Sequence, residues 1–243
     1  SARSAPFSQL HFTMTGLALQ TNEGRKLRNL LRLMSKHNVF KRGEFFLRNG
    51  RPSPIYIDLR ESYGNNELFL SLCHGLRELI DKVQKTKPFT GIVGVPYAAL
   101  PYVSVMSLWT KHPLIILRKA AKSYGTKKLL EGKYEEGQRV IVFDDVVGTG
   151  ETMMEVIPTL RAEGLVVDDV FCLLERGREG RDNLKKMGVE LHSVANMDQV
   201  MTFLAAVGEL NQEILTAVDL PTLRKIEHID KVNIDWDFEE IDD

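Results

Sequence analysis

VIVFDDVVGTGET, residues 140–152, is the segment that determines how the rest of the chain is interpreted. Its first four residues are apolar and mostly β-branched, which is typical of a short buried strand ending at Phe143. Asp144 and Asp145 follow directly, and a turn of small residues occupies positions 148–150. Beyond Thr152 the apolar residues take the spacing of a helix. The segment therefore predicts a strand, an acidic pair, a glycine turn and a helix, in that order.

A glycine turn that opens a helix suits a phosphate, because it presents backbone N–H groups and the positive end of the helix dipole. Glycine lets this backbone approach an anion closely, and successive N–H groups form an anion nest. Two carboxylates beside the turn suit the hydroxyls of a ribose, directly or through water on a metal. The segment is neither a Walker loop nor a dinucleotide fingerprint, since the required lysine and third glycine are missing. The alternative is an ordinary strand-turn-helix with solvated acids.

Length and composition predict one globular domain. A chain of 243 residues can bury a single large core. The net charge of −1 argues against binding to nucleic acid, so any anion site must be local. No apolar run approaches the ~20 residues of a membrane span, and no secretory signal is visible. Cys73 and Cys172 are expected to be buried reduced thiols in a cytoplasmic protein without a membrane partner.

Several blocks of sequence, taken in order, resemble the orotate phosphoribosyltransferases, which are type I phosphoribosyltransferases. Residues 140–152 are similar to the motif of these enzymes that binds phosphoribosyl pyrophosphate (PRPP). The other blocks are FFLRNGRPSPIYIDLR (45–60), GVPYAALP (94–101), ILRKAAKSYGTKKLLEG (116–132) and LLERGREG (173–180). The resemblance covers roughly residues 22–210, and it extends to the form of the enzyme fused to orotidylate decarboxylase in animal UMP synthases.

The resemblance implies an α/β fold of the type I phosphoribosyltransferase class, with a mostly parallel twisted sheet flanked by helices and a small N-terminal hood. We predict an N-terminal arm (1–21), a phosphoribosyltransferase domain (22–215, hood about 40–60) and an acidic C-terminal tail (216–243). Asn49-Gly50 between apolar runs independently predicts a hairpin in the hood. Apolar runs predict further strands at 90–95, 113–117, 166–174 and 189–194, and the charged residues 175–180 predict a turn before a short helix at 182–186.

The implied activity is transfer of ribose 5-phosphate from PRPP to orotate, which yields orotidine 5′-monophosphate and pyrophosphate in pyrimidine (UMP) biosynthesis. The resemblance implies catalytic roles for Lys122, Asp144 and Asp145. It implies that PRPP is bound by Tyr97, Arg118, Lys119, Lys122, Tyr124, Asp144, Asp145, Val146, Val147, Gly148, Thr149, Gly150, Glu151 and Thr152. It implies that orotate is bound by Arg48, Tyr56, Ile57, Thr149 and Arg176. Without the resemblance, Tyr56 could be a plain half-buried strand aromatic and Arg176 a solvated turn charge.

Residues 119–135 are rich in lysine, contain Gly125 and Gly132, and show no regular period. The segment is too long for an ordinary connection between a strand and a helix. The residues alone leave two interpretations, a solvated basic loop or a cationic flap that closes over pyrophosphate. Beside the acidic PRPP motif we favour the flap, and the resemblance implies that it acts in trans across a homodimer. It also implies Mg²⁺ carried by PRPP, with no direct protein ligand and water contacts to Asp144 and Asp145.

Four positions depart from the pattern of the family. Arg48 replaces the usual lysine, Ser123 replaces the usual aspartate, and Gly148 and Glu151 replace small hydroxylic residues. A carboxylate beside a phosphate is unfavourable, so we expect the Glu151 side chain to point away from the turn. These departures leave two alternatives open. The chain could be a catalytically weak PRPP- or nucleotide-binding paralogue, or a phosphoribosyltransferase for another nucleobase.

Overall fold

The computed structural model describes residues 22–47, 50–118 and 129–210. The helices in these ranges are α1 (Asn22–Lys36), a 3-10 helix (Leu59–Gly64), α2 (Asn66–Thr86), α3 (Leu100–Thr110), α4 (Glu151–Ala162), α5 (Arg178–Lys186) and α6 (Met197–Ala206). The strands are β1 (Phe40–Phe46), β2 (Pro52–Ile57), β3 (Gly91–Gly94), β4 (Leu114–Leu117), β5 (Leu130–Glu131), β6 (Arg139–Val147), β7 (Val166–Glu175) and β8 (Glu190–Asn196). Across the described residues, every helix is too short or too polar to serve as a membrane span.

Six strands form the main sheet in the order β5-β4-β3-β6-β7-β8. The pairs β3–β4, β3–β6, β6–β7 and β7–β8 are parallel, and β4–β5 is antiparallel. Strands of a parallel sheet are covered by helices on both faces, which explains why their sequences are continuous apolar runs. The predicted fold class, a mostly parallel sheet with flanking helices, is confirmed.

Alternate residues of the central strand β6 supply the two faces of the core. Val140 and Val142 are buried in a cluster with Ile157 and Leu160 of α4. Phe143 faces Tyr102 of α3, with ring centroids 6.1 Å apart. Because both faces are packed, the strand is held rigidly up to the acidic pair. Cys172 lies in the same core as a buried free thiol, and Cys73 of α2 is also a buried free thiol, which agrees with the prediction for both.

The described residues divide into two compact units. Residues 22–31, 41–56 and 198–210 belong to the first unit, and residues 32–40 and 57–197 belong to the second. Within the first, β1 and β2 form a two-stranded sheet, as the Asn-Gly turn predicts. The Leu47 N–H donates to the Arg51 carbonyl at 2.9 Å, and Gly50 takes a φ of 76°, which favours glycine. The predicted arm, the whole predicted tail and the end of the domain at 215 lie outside the described residues.

Three predicted boundaries are wrong. The strand that we end at Phe143 continues to Val147, because its ladder with β7 goes on through the pairs Asp144–Cys172 and Val146–Leu174. The run of apolar residues ends before Asp144, but the backbone hydrogen bonds between β6 and β7 continue beyond it. Similarly, Glu175 is a buried residue of β7, and α5 begins at Arg178, so the charged turn shrinks to two residues.

The third error concerns the lysine-rich segment. Leu130 and Glu131 form the short strand β5, which pairs with Leu117 and Ile116 of β4. After β4 the chain therefore returns to the edge of the sheet at Leu130. The irregular segment that begins at residue 119 is shorter than the 119–135 that we predict from the missing periodicity. A strand of two residues carries no periodic signal, which explains why the sequence does not reveal it.

Candidate active site

The carboxyl ends of β3, β6 and β7 meet at one edge of the sheet, because these neighbouring strands run parallel. The Val95 N–H donates to the Phe143 carbonyl at 3.1 Å, and the Arg176 N–H donates to the Val147 carbonyl at 2.8 Å. These bonds bring the turn after β3, the acidic pair and the turn after β7 to the same edge. This edge is the part of an open α/β sheet where ligands bind.

Asp144 and Asp145 form a half-buried acidic pair near the end of β6. The Asp145 N–H donates to Oδ1 of Asp144 at 3.0 Å, which fixes the first carboxylate against the backbone. Burial raises the pKa of Asp145. Hydrogen bonds with the Val146 backbone and within the acidic pair oppose that rise, and so does the positive charge of Arg60. The two acids therefore have different environments. Asp144 is anchored to the backbone, whereas Asp145 is a partly desolvated acceptor.

The glycine turn enters α4 as the sequence predicts. Gly150 precedes the helix with a φ of 80°, and the Met154 N–H donates to the Gly150 carbonyl at 2.9 Å. The first turn of a helix has no intrahelical acceptors for its N–H groups, so these groups and the helix dipole favour an anion here. Glu151 and Thr152 are half-buried in that first turn, and Thr149 is half-buried in the glycine turn.

Gly180 of α5 packs directly against the glycine turn, a contact that sequence reasoning missed. A Cβ at Gly180 would lie 2.4 Å from the Gly148 carbonyl oxygen and 2.9 Å from Cγ1 of Val147. A Cβ at Gly150 would in turn lie 3.3 Å from the Cα of Gly180. The two segments can approach this closely only because both are glycine. The only available signal was the small residue at the end of the LLERGREG block.

Polar side chains of α5 also stabilise the contact between this helix and the glycine turn. Nδ2 of Asn183 donates to the Thr149 carbonyl at 3.1 Å. The buried Glu175 carboxylate receives Nε of Arg181 at 2.8 Å, and Nη1 of Arg181 also donates to the Leu191 carbonyl at 2.8 Å. These contacts tie α5 to β7 and β8. The sequence suggests none of them, because Glu175 and Arg181 resemble ordinary surface charges.

The turn after β3 carries Tyr97, the predicted PRPP residue of this region. The Pro96–Tyr97 peptide bond is cis, and the Tyr97 side chain is 68% exposed. The Tyr97 carbonyl accepts the Leu100 N–H at 3.1 Å, which leads the chain into α3. Arg118 follows β4 and forms an ion pair with Glu131 of β5, with Nη1 and Oε1 2.7 Å apart. Its guanidinium therefore bonds a protein carboxylate.

The chain is similar to known proteins over most of its length. It is 46% identical over 215 residues to the uridine 5′-monophosphate synthase of Caenorhabditis elegans, covering 86% of this chain and 42% of that protein. It is 36% identical over 174 residues to the orotate phosphoribosyltransferase of the same organism, covering 72% of this chain and 76% of that one. The chain belongs to the orotate phosphoribosyltransferase family. The predicted resemblance is thereby confirmed, although no family model matches the chain.

Solved structures of the family agree with this assignment. The Leishmania donovani UMP synthase superposes with a TM-score of 0.68 at 30% identity, covering 78% of this chain and 40% of that one. The orotate phosphoribosyltransferase of Aeropyrum pernix superposes with a TM-score of 0.64 at 29% identity, covering 75% and 99%. The chain thus spans less than half the length of the UMP synthases that it matches and about the full length of a single-function relative.

Two of the residues that we predict to bind orotate, Tyr56 and Ile57, lie in or next to the hood. Tyr56 is half-buried in β2, with its ring centroid 5.5 Å from that of Phe45. Ile57 at the end of the strand is buried. Arg48, Lys119, Lys122 and Tyr124 lie outside the described residues, so their assigned roles stay predictions.

Two residues close to the acidic pair were missed. Arg60 of the 3-10 helix bonds Asp58 through Nε and Oδ1 at 2.7 Å, and its charge opposes the rise that burial causes in the pKa of Asp145. The charge of Asp145 helps to raise the pKa of Tyr63, which belongs to the same 3-10 helix. Arg60 ends the quoted IYIDLR run, which we assigned to the hood, and Tyr63 follows that run. The structure instead brings them to the carboxyl edge of the main sheet.

The acidic pair fits the role expected for a Mg²⁺ carried by the substrate. Mg²⁺ usually keeps several of its water molecules, and carboxylates accept hydrogen bonds from them, so the pair can contact the ion through water without binding it directly. Among the described residues, the group of three that could hold a metal lies elsewhere, at Asp169, Glu190 and His192 near the amino ends of the strands. There the ammonium of Lys87 already bonds both acids, at 3.3 Å and 2.7 Å, so we assign that group to an ion-pair network.

Proposed function

We propose that this chain transfers ribose 5-phosphate from PRPP to orotate, forming orotidine 5′-monophosphate and pyrophosphate. The observation that carries the proposal is the shared edge, where the acidic pair, a helix-opening glycine turn and Arg176 lie together. These groups match a ribose, a phosphate and a carboxylate respectively. The similarity to named orotate phosphoribosyltransferases supports the same reaction in pyrimidine biosynthesis.

The glycine turn would bind the 5′-phosphate. Backbone N–H groups of residues 148–152 lie at the start of α4, and the hydroxyls of Thr149 and Thr152 can donate to phosphate oxygens. Asp144 and Asp145 would accept hydrogen bonds from the ribose hydroxyls, and desolvated acceptors of this kind bind donors strongly. Together these groups would hold the sugar still while its anomeric carbon reacts.

Pyrophosphate would leave toward the turn that carries Tyr97. The bond between the anomeric carbon and the pyrophosphate oxygen breaks, and its electron pair departs with pyrophosphate through an oxocarbenium-like state. Arg118, Lys119, Lys122 and Tyr124 would neutralise the charge that grows on the leaving group. For Arg118 this requires an exchange of its Glu131 partner for the anion. Mg²⁺ on the pyrophosphate and ribose oxygens would supply further positive charge.

Orotate would be held by its carboxylate. Arg176 follows β7 at the active edge, and a guanidinium can grip a carboxylate through two parallel hydrogen bonds. Arg48, Tyr56, Ile57 and Thr149 would border the base, as the family resemblance implies. This arrangement would place the orotate ring nitrogen to form the new bond to the anomeric carbon, while the proton of its N–H is released to solvent.

We further propose that the enzyme works as a homodimer in which the lysine-rich flap serves the partner's site. The support is the sequence of residues 119–128 together with the family relationship. The chain gains little by packing this segment on itself, because its lysines have little apolar surface to bury.

The deciding experiment is an assay of the purified chain with orotate, PRPP and Mg²⁺. We expect orotate consumption with equal amounts of orotidine 5′-monophosphate and pyrophosphate, separated by chromatography. Uracil, hypoxanthine and adenine serve as competing bases, and turnover of one of these without orotate would assign another substrate. Binding of PRPP without any product would identify a ligand-binding paralogue instead of an enzyme.

A further inference from the structure

An aromatic cluster lies beneath the turn that carries Tyr97. It consists of Tyr63 of the 3-10 helix, Phe69 of α2 and Tyr102 of α3. Phe69 and Tyr102 are stacked with centroids 4.9 Å apart, and the Tyr63 ring lies 5.9 Å from Tyr102 and 6.3 Å from Phe69. Tyr102 is completely buried, whereas Tyr63 is 42% exposed. Tyr63 is thus the member of the cluster that reaches the surface.

The buried member anchors the cluster. The Tyr102 hydroxyl donates to the Leu59 carbonyl at 3.1 Å and lies 2.7 Å from the hydroxyl of Ser62, which is itself buried. Its ring also packs against Phe143, the residue before Asp144. The 3-10 helix that carries Tyr63 is therefore fixed to α3 and to the strand of the acidic pair.

The exposed member reaches the turn itself. The Tyr63 hydroxyl donates to the Ala98 carbonyl at 2.6 Å, one residue after Tyr97. Carbonyl and N–H groups of a trans peptide point in opposite directions, so fixing the Ala98 carbonyl also fixes the direction of the Ala99 N–H. The mechanism proposed above directs pyrophosphate toward this turn, where backbone N–H groups such as that of Ala99 can donate to an anion. One side-chain hydrogen bond therefore controls the orientation of a binding group.

The hydroxyl keeps its proton throughout the working range of pH. Burial, followed by the charge of Asp145, raises the pKa of Tyr63 to about 12. A tyrosinate could not donate to a carbonyl, and the hydrogen bond would then be lost. Because the pKa is this high, Tyr63 is a donor at every pH at which the reaction can be assayed.

We propose that Tyr63 is a positioning residue for pyrophosphate and PRPP, whose hydroxyl holds the Ala98 peptide in the conformation that receives the anion. The inference rests on the proposed function and deepens it. A binding turn that is already ordered loses less conformational freedom when the ligand arrives, which strengthens binding. Tyr63 need not touch the substrate for this effect.

The test compares Tyr63→Phe with Tyr134→Phe. The Tyr134 hydroxyl also makes one side-chain hydrogen bond, to Glu163 at 2.9 Å, but it follows β5, outside the flap residues 119–128, and lies far along the chain from the turn. Calorimetric titration with magnesium pyrophosphate gives Kd, and initial rates give KM for PRPP and orotate. For Tyr63→Phe we expect Kd and the PRPP KM to rise about threefold to tenfold, the effect of one hydrogen bond. The orotate KM and Tm stay near wild type, as do all values for Tyr134→Phe.

The outcomes separate this inference from the proposed function. Wild-type pyrophosphate affinity in Tyr63→Phe, or equal increases in both KM values with a lowered Tm, would overturn the positioning role. A wild-type chain that binds pyrophosphate without converting orotate would overturn the proposed function, and the Kd comparison would still test Tyr63. The change in Kd should be the same at pH 6 and pH 9, because Tyr63 stays protonated at both.

Discussion

Asp145 illustrates at the scale of one residue how a binding group conflicts with stability. Burial raises its pKa above the value in the unfolded chain. The folded state therefore holds a proton on this carboxyl more tightly than the unfolded state does. It follows that the ionised carboxylate reduces stability at neutral pH, and that this loss is relieved as the pH falls through the raised pKa.

We therefore predict that Asp145→Asn is inactive but more stable than the wild type. The amide removes the buried charge, and Tm should rise by about 2–4 °C, the shift that 1 kcal/mol produces in a domain of this size. The gain should shrink toward acidic pH, where wild-type Asp145 becomes neutral. Calorimetry at pH 5 and pH 8 measures it, with Asp182→Asn on the exposed face of α5 as control. A destabilised Asp145→Asn would show that the carboxylate has a structural partner.

Arg176 permits a similarly matched comparison with Arg178, two residues later. Arg176 is half-buried at the active edge, whereas Arg178 is exposed in the first turn of α5. A charged hydrogen-bonded contact contributes about 1.5–3 kcal/mol, so Arg176→Ala should raise the orotate KM roughly tenfold to a hundredfold. The PRPP KM should change little, and Arg178→Ala should leave both constants near wild type. Equal changes in both constants would remove Arg176 from the base site.

At the scale of elements, the junction between the glycine turn and α5 depends on a missing side chain. A Cβ at Gly180 would meet the Gly148 carbonyl at 2.4 Å, and this backbone atom cannot move without disturbing the proposed phosphate site. Gly177 in the same block has open space around its Cβ position and an extended φ of −172°. The two glycines therefore form a natural control pair.

We predict that Gly180→Ala raises the PRPP KM by at least about tenfold, since shifting the turn weakens several phosphate contacts at once. Gly177→Ala should keep nearly wild-type kinetics. Steady-state rates at saturating orotate measure both, and far-ultraviolet circular dichroism confirms folding. If Gly180→Ala binds PRPP normally, the turn can shift without loss and its position is not critical.

The opposite ends of the strands are held by an ion-pair network around Asp169. This carboxylate is 1% exposed and contacts Nε2 of His192 at 2.8 Å, Nη2 of Arg139 at 3.0 Å and Nζ of Lys87 at 3.3 Å. Burial alone would raise its pKa, but the hydrogen bonds from these three groups outweigh burial and lower the pKa to about 2. The strand ladder skips Asp168, and Arg139 bonds this residue as well at 3.0 Å.

We predict that Asp169→Asn destabilises the fold by about 1.5–3 kcal/mol, because it removes the charge of a buried acceptor that bonds three partly exposed basic groups. Asp168→Asn removes an exposed partner of the same arginine and should cost less than about 1 kcal/mol. The folded pKa of Asp169 lies below the unfolded value, so its contribution is present above pH 4 and is lost as pH falls toward about 2. Urea titrations at pH 7 and pH 3 measure both effects. Equal losses in the two variants would contradict the role of burial.

For the whole molecule, the sequence predicts what depends on local pattern. The parallel strands, the helix after Gly150 and the hairpin at Gly50 each have a periodicity or turn signal, and the structure contains all three. The sequence does not reveal where a strand continues beyond its apolar run, as β6 does up to Val147. Nor does it reveal contacts between distant segments. Gly180 against Gly148 and Tyr63 against Ala98 depend on the packing of separate elements, for which local sequence holds no signal.

The assembly of two chains is the scale at which the flap can be tested. If Lys122 acts in the partner's site, Lys122→Ala and Asp144→Asn should each be nearly inactive alone, because every site lacks one group. In a mixed dimer, one site combines an intact Asp144 with the other chain's intact Lys122, while the second site carries both lesions. Random exchange makes half of the dimers mixed, so activity should recover to about one quarter of wild type.

The complementation experiment requires proof that the subunits exchange. The two variants carry different affinity tags, are mixed under mildly dissociating conditions and are purified in tandem to isolate mixed dimers. Isolated mixed dimers should then have about half of wild-type activity, since one of two sites is intact. Mixing each variant with itself controls for reactivation by the treatment. Inactive mixed dimers would assign Lys122 to the site of its own chain, because both sites would then lack one required group.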